Sequence, residues 1–556
     1  MADVGDVGGV VARARAWLAE DPDLATRAEL VALLDAGDLV ALGERFGGRL
    51  EFGTAGLRGA LGAGPSQMNR AVVTLTAAGL VAYLSGRGAA SVVIGRDARH
   101  RSADFARDTA QVVTGAGLRA LVLPRALPTP VLAFAVRHLG ADAGVMVTAS
   151  HNPKQDNGYK VYLGDGRQIV PPADADISAA IDALGALSSV PRGDDGELLE
   201  ESIVEAYLDR VATVPLPGSP RALSVVYTPL HGVGRDLLLA AFARAGFPPP
   251  YVVTEQGSPD PDFPTAPFPN PEEPGALDLA VAAGAARGAD VVIANDPDAD
   301  RCAVAVPLSS GGWRALTGDE VGALLGTHLL RRAPGLTGTY ACSIVSSSLL
   351  GRIAAFHGLG YVETLTGFKW IARAPGLRFG YEEALGYCVD PGGVLDKDGI
   401  SAALLVAELA AGLRAQGRTL LDLLDDIEVE HGVHATGQLS VRVLDLGQIA
   451  AAMAGLRARP PVVLGGRAVL SAEDLAAGVA GLPPTDGLRY VLADGGRVVV
   501  RPSGTEPKLK AYLEVVTPVA GPGDLPTVRA AAHQGLARIK TDLATLISPT
   551  PPAPPC

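Results

Sequence analysis

The chain has 556 residues, of which 48% are hydrophobic, so it is long enough for three to five domains with buried cores. Its formal net charge of −13 argues against a nucleic acid or an anionic membrane surface as the main partner. No apolar segment reaches membrane-spanning length without Gly, Pro or a charge, and the N-terminus lacks the pattern of a secretory signal, so we expect a soluble, cytoplasmic protein.

The cysteines give no sign of a metal site or of a disulfide framework. They are widely scattered, with no C-x-x-C pair and no metal-ligand spacing, as expected for a reducing compartment. We interpret them as buried or tail thiols without a chemical role. They are Cys302, Cys342, Cys388 and Cys556.

The chain begins with apolar residues at helical spacing over residues 1–45, which predicts two or three short helices packed on the first domain. From Ser91 a pattern of strand, loop and helix repeats, and it restarts near Leu223 and again near Tyr340. Strands separated by helices of this length imply crossover connections and a mostly parallel sheet. From about His431 the pattern changes to alternating strands and two helices, which predicts an α+β domain.

We therefore predict an α/β protein with three related α/β domains, whose sheets are mixed but mostly parallel, and a C-terminal α+β domain. The stretch 257–274 is crowded with proline and acidic residues, which predicts a surface loop. The predicted boundaries are 1–215, 216–315, 316–430 and 431–547 for the four domains and 548–556 for a proline-rich, disordered tail.

An apolar run at residues 144–147 predicts a buried strand, and the segment Thr148 to Pro153 ends it in small polar residues and a proline. Ser150 is thereby placed at the rim of a sheet, where open parallel α/β sheets bind ligands. No G-x-S-x-G elbow surrounds Ser150, so an α/β-hydrolase has little support. The adjacent position of His151 predicts that its imidazole points away from the serine. An unactivated serine is a poor nucleophile, whereas a phosphorylated serine needs only a metal on its phosphate and a positioned acceptor hydroxyl.

Two other predicted strands also end in polar loops. The strand 92–95 is followed by residues 96–97, an arginine and an aspartate, and by a helix that Ser102 is suited to cap. The strand 121–123 is followed by residues 128–130 and by a helix with proline in its first turn.

Three aspartates, Asp296, Asp298 and Asp300, follow the predicted strand 291–294 at alternate positions. In an extended backbone alternate side chains share a face, so the three carboxylates converge on one point. Such a cluster repels itself unless a hard cation neutralises it. A calcium EF-hand loop is excluded, because Arg301 and a later proline stand where that loop needs Gly and Glu. The pattern predicts a magnesium site with positions left for a phosphate oxygen, and a solvated acidic turn is the alternative.

Three further loops offer groups for a phosphate or a sugar. Residues 501–505, followed by Lys508 and Lys510, supply a guanidinium, two hydroxyls and glycine-freed amides for a phosphate dianion, with a structural turn as the alternative. The pair Glu382-Glu383, in a glycine-flanked loop, either accepts hydrogen bonds from sugar hydroxyls or is a solvated acidic pair. The loop 52–59 surrounds one arginine with glycines, but alone it is a weak signal that a plain turn explains.

Four of these loops, in this order, resemble the motifs of the α-D-phosphohexomutase superfamily. The resemblance covers nearly the whole chain, and four loops in register are very specific. The loop 52–59 and the run 154–160 are most similar to the long branch that contains phosphoglucomutases and phosphopentomutases. The four motifs are Thr148 to Pro153, Asp296 to Arg301, Glu382 to Gly386 and Arg501 to Thr505.

The resemblance implies a four-domain, heart-shaped enzyme, monomeric or homodimeric, that interconverts sugar 1-phosphates and 6-phosphates. Phosphorylated Ser150 would transfer its phosphoryl group to the substrate, the sugar bisphosphate would reorient, and Ser150 would recover the other phosphate. Mg²⁺ would be held by Ser150 and the three aspartates. Glucose 1,6-bisphosphate, or the matching sugar bisphosphate, would act as intermediate and activator. The partner is a small sugar phosphate, and neither nucleic acid nor membrane is expected.

The resemblance also implies roles for further residues. Lys397 matches a lysine proposed as a proton acceptor in some members. The residues placed around the transferring phosphate are Arg58, His151, Lys160 and Arg301. The residues expected to bind the sugar and the other phosphate are Thr366, Gly367, Lys369, Glu382, Glu383, Arg501, Ser503, Gly504, Thr505 and Lys508.

Two positions depart from the family pattern and affect only the predicted sugar. Ala384 stands where many glucose-handling members have serine, and Tyr387 stands where some mannose-handling members have histidine. We expect glucose phosphate first, with mannose or pentose phosphates behind it. A phosphoserine-type sugar phosphatase and a non-catalytic phosphosugar-binding protein are the alternatives to a mutase.

Overall fold

The computed structural model describes residues 7–53, 56–442, 446–479, 481–502 and 508–547. The chain divides into two compact units. The first contains Met1–Leu316 and Gly386–Gly412, and the second contains Thr317–Leu385 and Leu413–Cys556. The predicted disordered tail, residues 548–556, lies outside the described residues, and the four predicted domain boundaries stay predictions.

No described helix is by itself long and apolar enough to cross a membrane, and the consecutive helices Gly399–Ala415 and Leu420–His431 pass that test only when they are taken together. The described helices are α1 Val7–Glu20, α2 Leu24–Ala36, α3 Leu39–Phe46, α4 Arg70–Ser85, α5 Ser102–Gly115, α6 Thr129–His138, α7 Ala173–Asp182, α8 Ser202–Val211, α9 Arg235–Arg244, α10 Asp278–Arg287, α11 Gly318–Arg332, α12 Leu349–Phe356, α13 Phe368–Ile371, α14 Gly399–Ala415, α15 Leu420–His431, α16 Leu446–Ala458 and α17 Leu525–Ile547.

The described strands are β1 Leu57–Ala60, β2 Ser91–Arg96, β3 Arg119–Val122, β4 Ala143–Val147, β5 Asp156–Leu163, β6 Glu197–Leu198, β7 Val225–Thr228, β8 Tyr251–Val252, β9 Val291–Ala294, β10 Ala303–Pro307, β11 Trp313–Ala315, β12 Thr339–Ser343, β13 Gly360–Thr364, β14 Leu377–Glu382, β15 Gly386–Cys388, β16 Val433–Arg442, β17 Val463–Leu464, β18 Arg467–Asp474, β19 Leu488–Leu492, β20 Arg497–Pro502 and β21 Lys508–Thr517.

The first sheet of the first unit has the strand order β1-β5-β4-β2-β3-β6. Strands β4, β2, β3 and β6 are parallel, whereas β5 and β1 pair antiparallel at one edge. Every residue of β4 is buried, as expected for a strand covered on both faces. Val73 of α4, Phe105 of α5 and Val145 of β4 belong to one apolar core, and α6 packs against β2 and β4.

The N-terminal helices α1, α2 and α3, which the helical spacing predicts, enclose a small cluster of their own. Ala14, Leu30 and Leu42 are fully buried in it. Asp23 caps α2 by accepting a hydrogen bond from the backbone of Ala25 at 2.9 Å, and Asp38 caps α3 in the same way.

The second sheet of the first unit has the order β11-β10-β9-β7-β8, with β7, β8 and β9 parallel and a β10–β11 hairpin added antiparallel. The proline-rich loop 257–274 is not purely a surface loop, because Phe263 in it is only 2% exposed. The polar composition of the loop gave no indication that this aromatic side chain would be buried.

The second unit contains a parallel arrangement β13-β12-β14 and an antiparallel sheet with the order β16-β21-β20-β19-β18-β17. Helices α16 and α17 pack on the antiparallel sheet, where Met453, Ile539 and Leu543 are buried with its strands. These observations confirm the predicted fold class of α/β domains followed by a C-terminal α+β domain.

The two sheets of the second unit share an apolar cluster. Ile344 and Leu365, which follow β12 and β13, pack with Leu475 and Val499 of the C-terminal domain. Beside this cluster, the carboxylate of Glu363 pairs with two arginines of the antiparallel sheet, at 3.1 Å from Arg489 Nη1 in one case and with Arg497 in the other.

Glu514 lies at the centre of the polar part of this contact. Its Oε1 accepts hydrogen bonds from Ser347 Oγ at 2.7 Å and from the backbone of Ser348 at 2.8 Å, and its Oε2 lies 3.1 Å from Arg497 Nε. Burial alone would raise the pKa of Glu514, but Arg497 and His434 outweigh it and lower the pKa to about 2. Glu514 is therefore a buried, ionised side chain that joins the loop after β12 to the C-terminal sheet.

We predict that Glu514→Gln destabilises the second unit by about 3–5 kcal/mol at neutral pH, because Arg497 then loses a buried partner. The folded-state pKa lies below the usual value of 4.5. The stabilisation by the carboxylate is therefore complete above about pH 5 and is lost as the pH falls toward 2. Calorimetry should show the stability difference between wild type and variant shrinking between pH 5 and pH 3.

The matched control is Glu473→Gln, which removes a partly exposed partner of Arg489 and should cost about 1 kcal/mol or less. A difference between wild type and Glu514→Gln that stays constant over this pH range would contradict the assignment.

Candidate functional site

Ser150 follows the C-terminal end of β4, in a tight turn. Its φ of 53° lies in the left-handed region, which costs a residue with a Cβ about 1–2 kcal/mol. Thr148 Oγ1 supports the turn by accepting a hydrogen bond from Ser150 N at 2.8 Å. The side chain of Ser150 is buried, and its hydroxyl donates to Asp296 Oδ2 at 2.7 Å. The turn thus directs the hydroxyl toward the aspartate loop.

His151 contacts the serine, so the prediction that its imidazole points away is wrong. Ser150 Oγ and His151 Nδ1 are 3.2 Å apart. Because the backbone turns at Ser150 instead of continuing extended, neighbouring side chains do not alternate between two faces. Burial, followed by the charges of Arg301 and Arg58, lowers the pKa of His151 well below its usual range. The imidazole is therefore neutral at pH 7.

The aspartate loop is a turn, whereas the sequence argument assumed an extended backbone. Ala299 has a φ of 52°, and its N–H donates to the carbonyl oxygen of Asp296 at 2.8 Å. The three carboxylates nevertheless converge, and one oxygen from each lies within 4.8 Å of one oxygen from each of the others. The turn brings Asp296, Asp298 and Asp300 together where alternation along a strand was expected to do so.

Two ammonium groups lie against this acidic cluster. Lys160 Nζ donates to Asp298 Oδ2 at 2.8 Å and to Asp300 Oδ2 at 2.7 Å, and Lys397 Nζ is 3.4 Å from Asp300 Oδ2. Although burial disfavours the charged form, the two carboxylates raise the pKa of Lys160, which is therefore protonated. A buried ammonium between two buried carboxylates partly neutralises the cluster.

The cluster is nevertheless suited to a divalent cation. All three aspartates are fully buried, so a solvated acidic turn does not describe them. Within the described ranges, Asp298 Oδ1 and Asp300 Oδ1 are buried without a hydrogen-bond partner. Burial and the two neighbouring carboxylates raise the pKa of Asp296 well above its usual range. Unpaired carboxylate oxygens in a dry, acidic site are the donors that Mg²⁺ prefers.

Strand register brings the basic residues to the same place. Strand β5 returns antiparallel beside β4, with Lys160 opposite Met146, and β1 adds next to β5 with Arg58 opposite Gly158. Arg58 Nη1 approaches Asn152 Oδ1 in the serine loop at 3.5 Å. Arg58 and Lys160, more than a hundred residues from the aspartates in sequence, are thus placed on the strands that flank Ser150.

Arg301 follows the acidic turn directly. Its backbone N–H donates to Asp296 Oδ1 at 3.1 Å, and its Nε lies 3.8 Å from Asp296 Oδ2. Its Nη1 lies 3.6 Å from Glu272 Oε2 in the proline-rich loop. The structure therefore brings Ser150, the three aspartates and the basic residues Arg58, Lys160, Arg301 and Lys397 into one site of the first unit.

Lys397 reaches this site because its loop is bound to the first domain. Tyr162 OH and Gln168 Nε2 both donate to Asp396 Oδ2 at 2.7 Å, and Tyr207 OH donates to Asp398 Oδ1 at 2.9 Å. The carboxylates on both sides of Lys397 are thus held by side chains of the first unit. This explains why residues 386–412 belong to the first unit.

The predicted sugar-binding pair Glu382-Glu383 lies in the second unit, at the end of β14. Glu382 is buried, and Glu383 Oε2 accepts hydrogen bonds from Ser346 Oγ at 2.9 Å and from Ser343 Oγ at 3.1 Å. Burial and the charge of Asp319 raise the pKa of Glu383. The alternative of a solvated acidic pair therefore does not hold.

The other predicted sugar and phosphate residues also lie in the second unit. Gly367, with a φ of 110°, is the N-cap residue of helix α13; Thr366 precedes it, and Lys369 lies within the helix. Arg501 is the last residue but one of β20, and Lys508 begins β21. Ser503, Gly504 and Thr505 lie outside the described residues, so their predicted role stays a prediction.

Two residues that contact the site were not recognised from the sequence as parts of it. Thr129, at the start of α6, donates through its hydroxyl to Asp298 Oδ2 at 2.6 Å. Arg99 donates to the carbonyl oxygen of Ser150 at 2.7 Å. Ser102, which was expected to cap α5, donates instead to Asp97 Oδ1 at 2.7 Å, and Arg101 occupies the cap position. Arg99 follows the end of β2, which pairs with β4, and Thr129 follows the end of β3, the next strand of the sheet; that position was the available signal.

Gly232 supports the aspartate loop from behind. It lies in the turn after β7, and Val233 N donates to the carbonyl oxygen of Pro297 at 2.9 Å. A Cβ at Gly232 would lie 2.3 Å from Pro297 Cα and 2.4 Å from Pro297 O. Only glycine permits this close approach of the two backbones.

Comparison with known proteins gives a consistent result along the chain. Four family models match in order, described as phosphoglucomutase/phosphomannomutase alpha/beta/alpha domains I, II and III and the C-terminal domain. They match residues 49–187, 205–309, 317–429 and 441–520.

Individual relatives and structures agree with these matches. The chain is 49% identical over 454 residues to a Haemophilus influenzae protein named "Probable phosphomannomutase", which covers 80% of this chain and 93% of that protein. It is 38% identical over 557 residues to human phosphopentomutase, covering 90% of each. A phosphoglucomutase/phosphomannomutase family protein from Burkholderia thailandensis shares the fold, with a TM-score of 0.68 at 20% identity over 90% of this chain and 98% of that one.

We predict that Gly232→Ala weakens divalent-cation binding about 10- to 100-fold, because the new methyl group displaces Pro297 and the aspartates on either side of it. Mn²⁺ binding to the substrate-free protein, measured by electron paramagnetic resonance, reports this loss directly. The control is Gly412→Ala, where no atom lies within 4 Å of the added Cβ. Equal Mn²⁺ affinity in the two variants would contradict the role of Gly232.

Proposed function

Because this chain belongs to the phosphoglucomutase/phosphomannomutase family, we propose that it moves a phosphoryl group between the two ends of a sugar through a phosphorylated Ser150. It is a phosphosugar mutase, an intramolecular phosphotransferase. The observation that carries the proposal is the buried Ser150 hydroxyl, 2.7 Å from a cluster of three buried aspartates.

The proposed reaction has two phosphoryl transfers. In the first, the bond between Ser150 Oγ and phosphorus breaks, a sugar hydroxyl forms the new bond, and the proton of that hydroxyl passes to a base. We assign the base to the neutral amine form of Lys397, whose Nζ lies 3.4 Å from Asp300 Oδ2. The bisphosphate then turns end for end, and Ser150 Oγ takes the other phosphoryl group while the sugar oxygen recovers a proton.

Asp296, Asp298 and Asp300 would hold Mg²⁺, together with the phosphate on Ser150. A divalent cation supplies electrostatic stabilisation of the charge that develops on the transferring phosphoryl oxygens. Lys160 holds two of the aspartates in place, and Arg58 and Arg301 add positive charge around Ser150. The neutral His151 offers a hydrogen bond at 3.2 Å from the serine oxygen without adding charge.

The remaining predicted residues would bind the rest of the substrate. We assign the sugar hydroxyls to Glu382 and Glu383. Thr366, Gly367 and Lys369, which come earlier in the chain, are assigned to the same sugar. The phosphate that is not being transferred is assigned to Arg501, Ser503, Gly504, Thr505 and Lys508. Glucose 1,6-bisphosphate, or the bisphosphate of the preferred sugar, would prime Ser150.

We predict that Ser150→Ala abolishes phosphorylation and lowers mutase activity about 10⁴-fold or more, because the acceptor oxygen is absent. Intact-mass spectrometry after incubation with glucose 1,6-bisphosphate should show one phosphoryl group on the wild type and none on the variant. The control is Ser85→Ala, at an exposed serine that ends α4, which should be phosphorylated like the wild type.

An assay with glucose 1-phosphate and a trace of glucose 1,6-bisphosphate separates the competing functions. Release of inorganic phosphate from glucose 1-phosphate without any 6-phosphate would indicate a phosphatase and contradict a mutase. A wild-type chain that binds the sugar phosphate but never becomes phosphorylated would indicate a binding protein.

For the sugar, we propose glucose phosphate as the first substrate and a pentose phosphate as the second candidate. The second candidate is supported by the similarity to human phosphopentomutase over 90% of both chains. It is also supported by Ala384, which offers no hydroxyl to the sugar in the turn after Glu383. Each hydrogen bond missing to a hexose lowers the preference for it over a pentose.

We predict that Ala384→Ser raises kcat/KM for glucose 1-phosphate relative to ribose 1-phosphate about 2- to 10-fold, the effect of one additional hydrogen bond. The control is Ala384→Cys, which has nearly the same size as serine but donates hydrogen bonds weakly. An unchanged ratio in the serine variant, or an equal change in both variants, would show that position 384 does not contact the sugar through a hydrogen bond.

A further inference from the structure

Arg99 is a buried arginine that belongs to no motif of the proposed reaction. It lies in the turn between β2 and α5 and is only 5% exposed. A buried guanidinium requires acceptors for its five N–H groups, so its partners indicate what it does. Its partners are backbone oxygens of the loop that carries Ser150.

Four carbonyl oxygens of that loop converge on the guanidinium. Nη2 donates to the carbonyl of Ser150 at 2.7 Å and to that of Asn152 at 2.5 Å, and Nη1 donates to Pro153 at 2.9 Å and to Asp156 at 3.2 Å. Four carbonyl oxygens directed at one point repel one another, and the planar guanidinium between them compensates for this by donating a hydrogen bond to each. The same loop contains the left-handed backbone at Ser150, with its φ of 53°.

Two neighbours hold the guanidinium itself in place. Asp97 Oδ2 lies 3.4 Å from Arg99 Nε, and Asp97 Oδ1 accepts a hydrogen bond from Arg99 N at 3.0 Å. The ring of Phe263, from the proline-rich loop 257–274, lies under the guanidinium with its centroid 4.8 Å from Arg99 Cζ. A cation over the face of a buried ring is both packed and attracted to it.

We propose that Arg99, seated on Phe263, is the positioning residue that keeps the Ser150 hydroxyl in line for phosphoryl transfer. The inference deepens the proposed function and rests on it. Arg99 bonds to the backbone oxygen of Ser150, whereas the reacting oxygen is Ser150 Oγ, so Arg99 touches neither the phosphate nor the sugar. Its effect is on geometry, and a misplacement of about 1 Å costs on the order of 10²-fold in rate.

Arg99→Lys tests this proposal, because lysine keeps the charge but cannot bond to four oxygens at once. We expect the single-turnover rate of phosphoryl transfer from glucose 1,6-bisphosphate to Ser150 to fall about 10- to 100-fold. The bisphosphate concentration that gives half of this rate should change less than about 3-fold, because no binding contact is removed. Intact mass against time measures both quantities.

Arg221 provides a matched control in the same unit. It donates to the carbonyl oxygens of Ala245 at 2.7 Å and Leu216 at 2.9 Å, and its Cζ lies 4.7 Å from the centroid of the Phe247 ring. Arg221→Lys removes the same kinds of contact away from the serine loop. It should lower the melting temperature as much as Arg99→Lys does, while leaving the transfer rate near that of the wild type.

Phe263→Leu decides the case in which Arg99→Lys does not fold. It keeps most of the apolar packing and removes the ring face, so we expect a 2- to 5-fold slower transfer, against no change for Phe247→Leu. A wild-type transfer rate in Arg99→Lys would overturn the proposal. Equal slowing in the Arg99 and Arg221 variants, or in the two phenylalanine variants, would also overturn it. A wild-type chain that takes up no phosphate would refute the proposed function itself.

Discussion

The site of the first unit depends on three carboxylates buried at one point. Asp296, Asp298 and Asp300 are fully buried, and their oxygens lie within 4.8 Å of one another. Like charges so close are costly in a low-dielectric interior unless cations lie beside them. Lys160 bridges two of them, and in the part of the chain that the structure describes Asp298 Oδ1 and Asp300 Oδ1 have no hydrogen-bond partner. A bound divalent cation would complete the balance of charge, and the Ser150 hydroxyl lies where such a cation would act on its phosphate.

The fold meets this constraint by ending several strands at the same place. Strand β4 leads to Ser150, β9 leads to the aspartates, and β5 and β1 place Lys160 and Arg58 beside them. Turns then orient the side chains at these strand ends. Ser150 and Ala299 have positive φ values, which are strained for residues with a Cβ. Neighbouring groups hold these turns in place, among them Gly232 behind the aspartate loop and Arg99 behind the serine loop.

Much of this arrangement could be predicted because short segments of the sequence contain recognisable motifs of reactive or ligand-binding side chains. A strand that ends in Ser150, three aspartates in five residues and a basic loop at 501–505 each combine a local pattern with an unusual group of side chains. The α/β pattern followed by an α+β pattern likewise follows from hydrophobic periodicity, which is a local property. Local reasoning failed at turns. An extended aspartate loop and an imidazole of His151 directed away from Ser150 were expected, and each expectation fails at a left-handed residue, Ala299 in the first case and Ser150 in the second.

The sequence by itself determined the class of fold and the family to which the chain belongs, because these are recorded in contiguous motifs. Only the tertiary structure decided which distant residues complete the site. Arg99, Thr129 and Gly232 act through backbone oxygens, a single hydroxyl and the absence of a side chain. Lys397 lies near the serine because Tyr162 and Tyr207, buried tyrosines of the first unit, hold its neighbours. Such contacts depend on how strands and turns pack in three dimensions, and no short stretch of sequence contains that information.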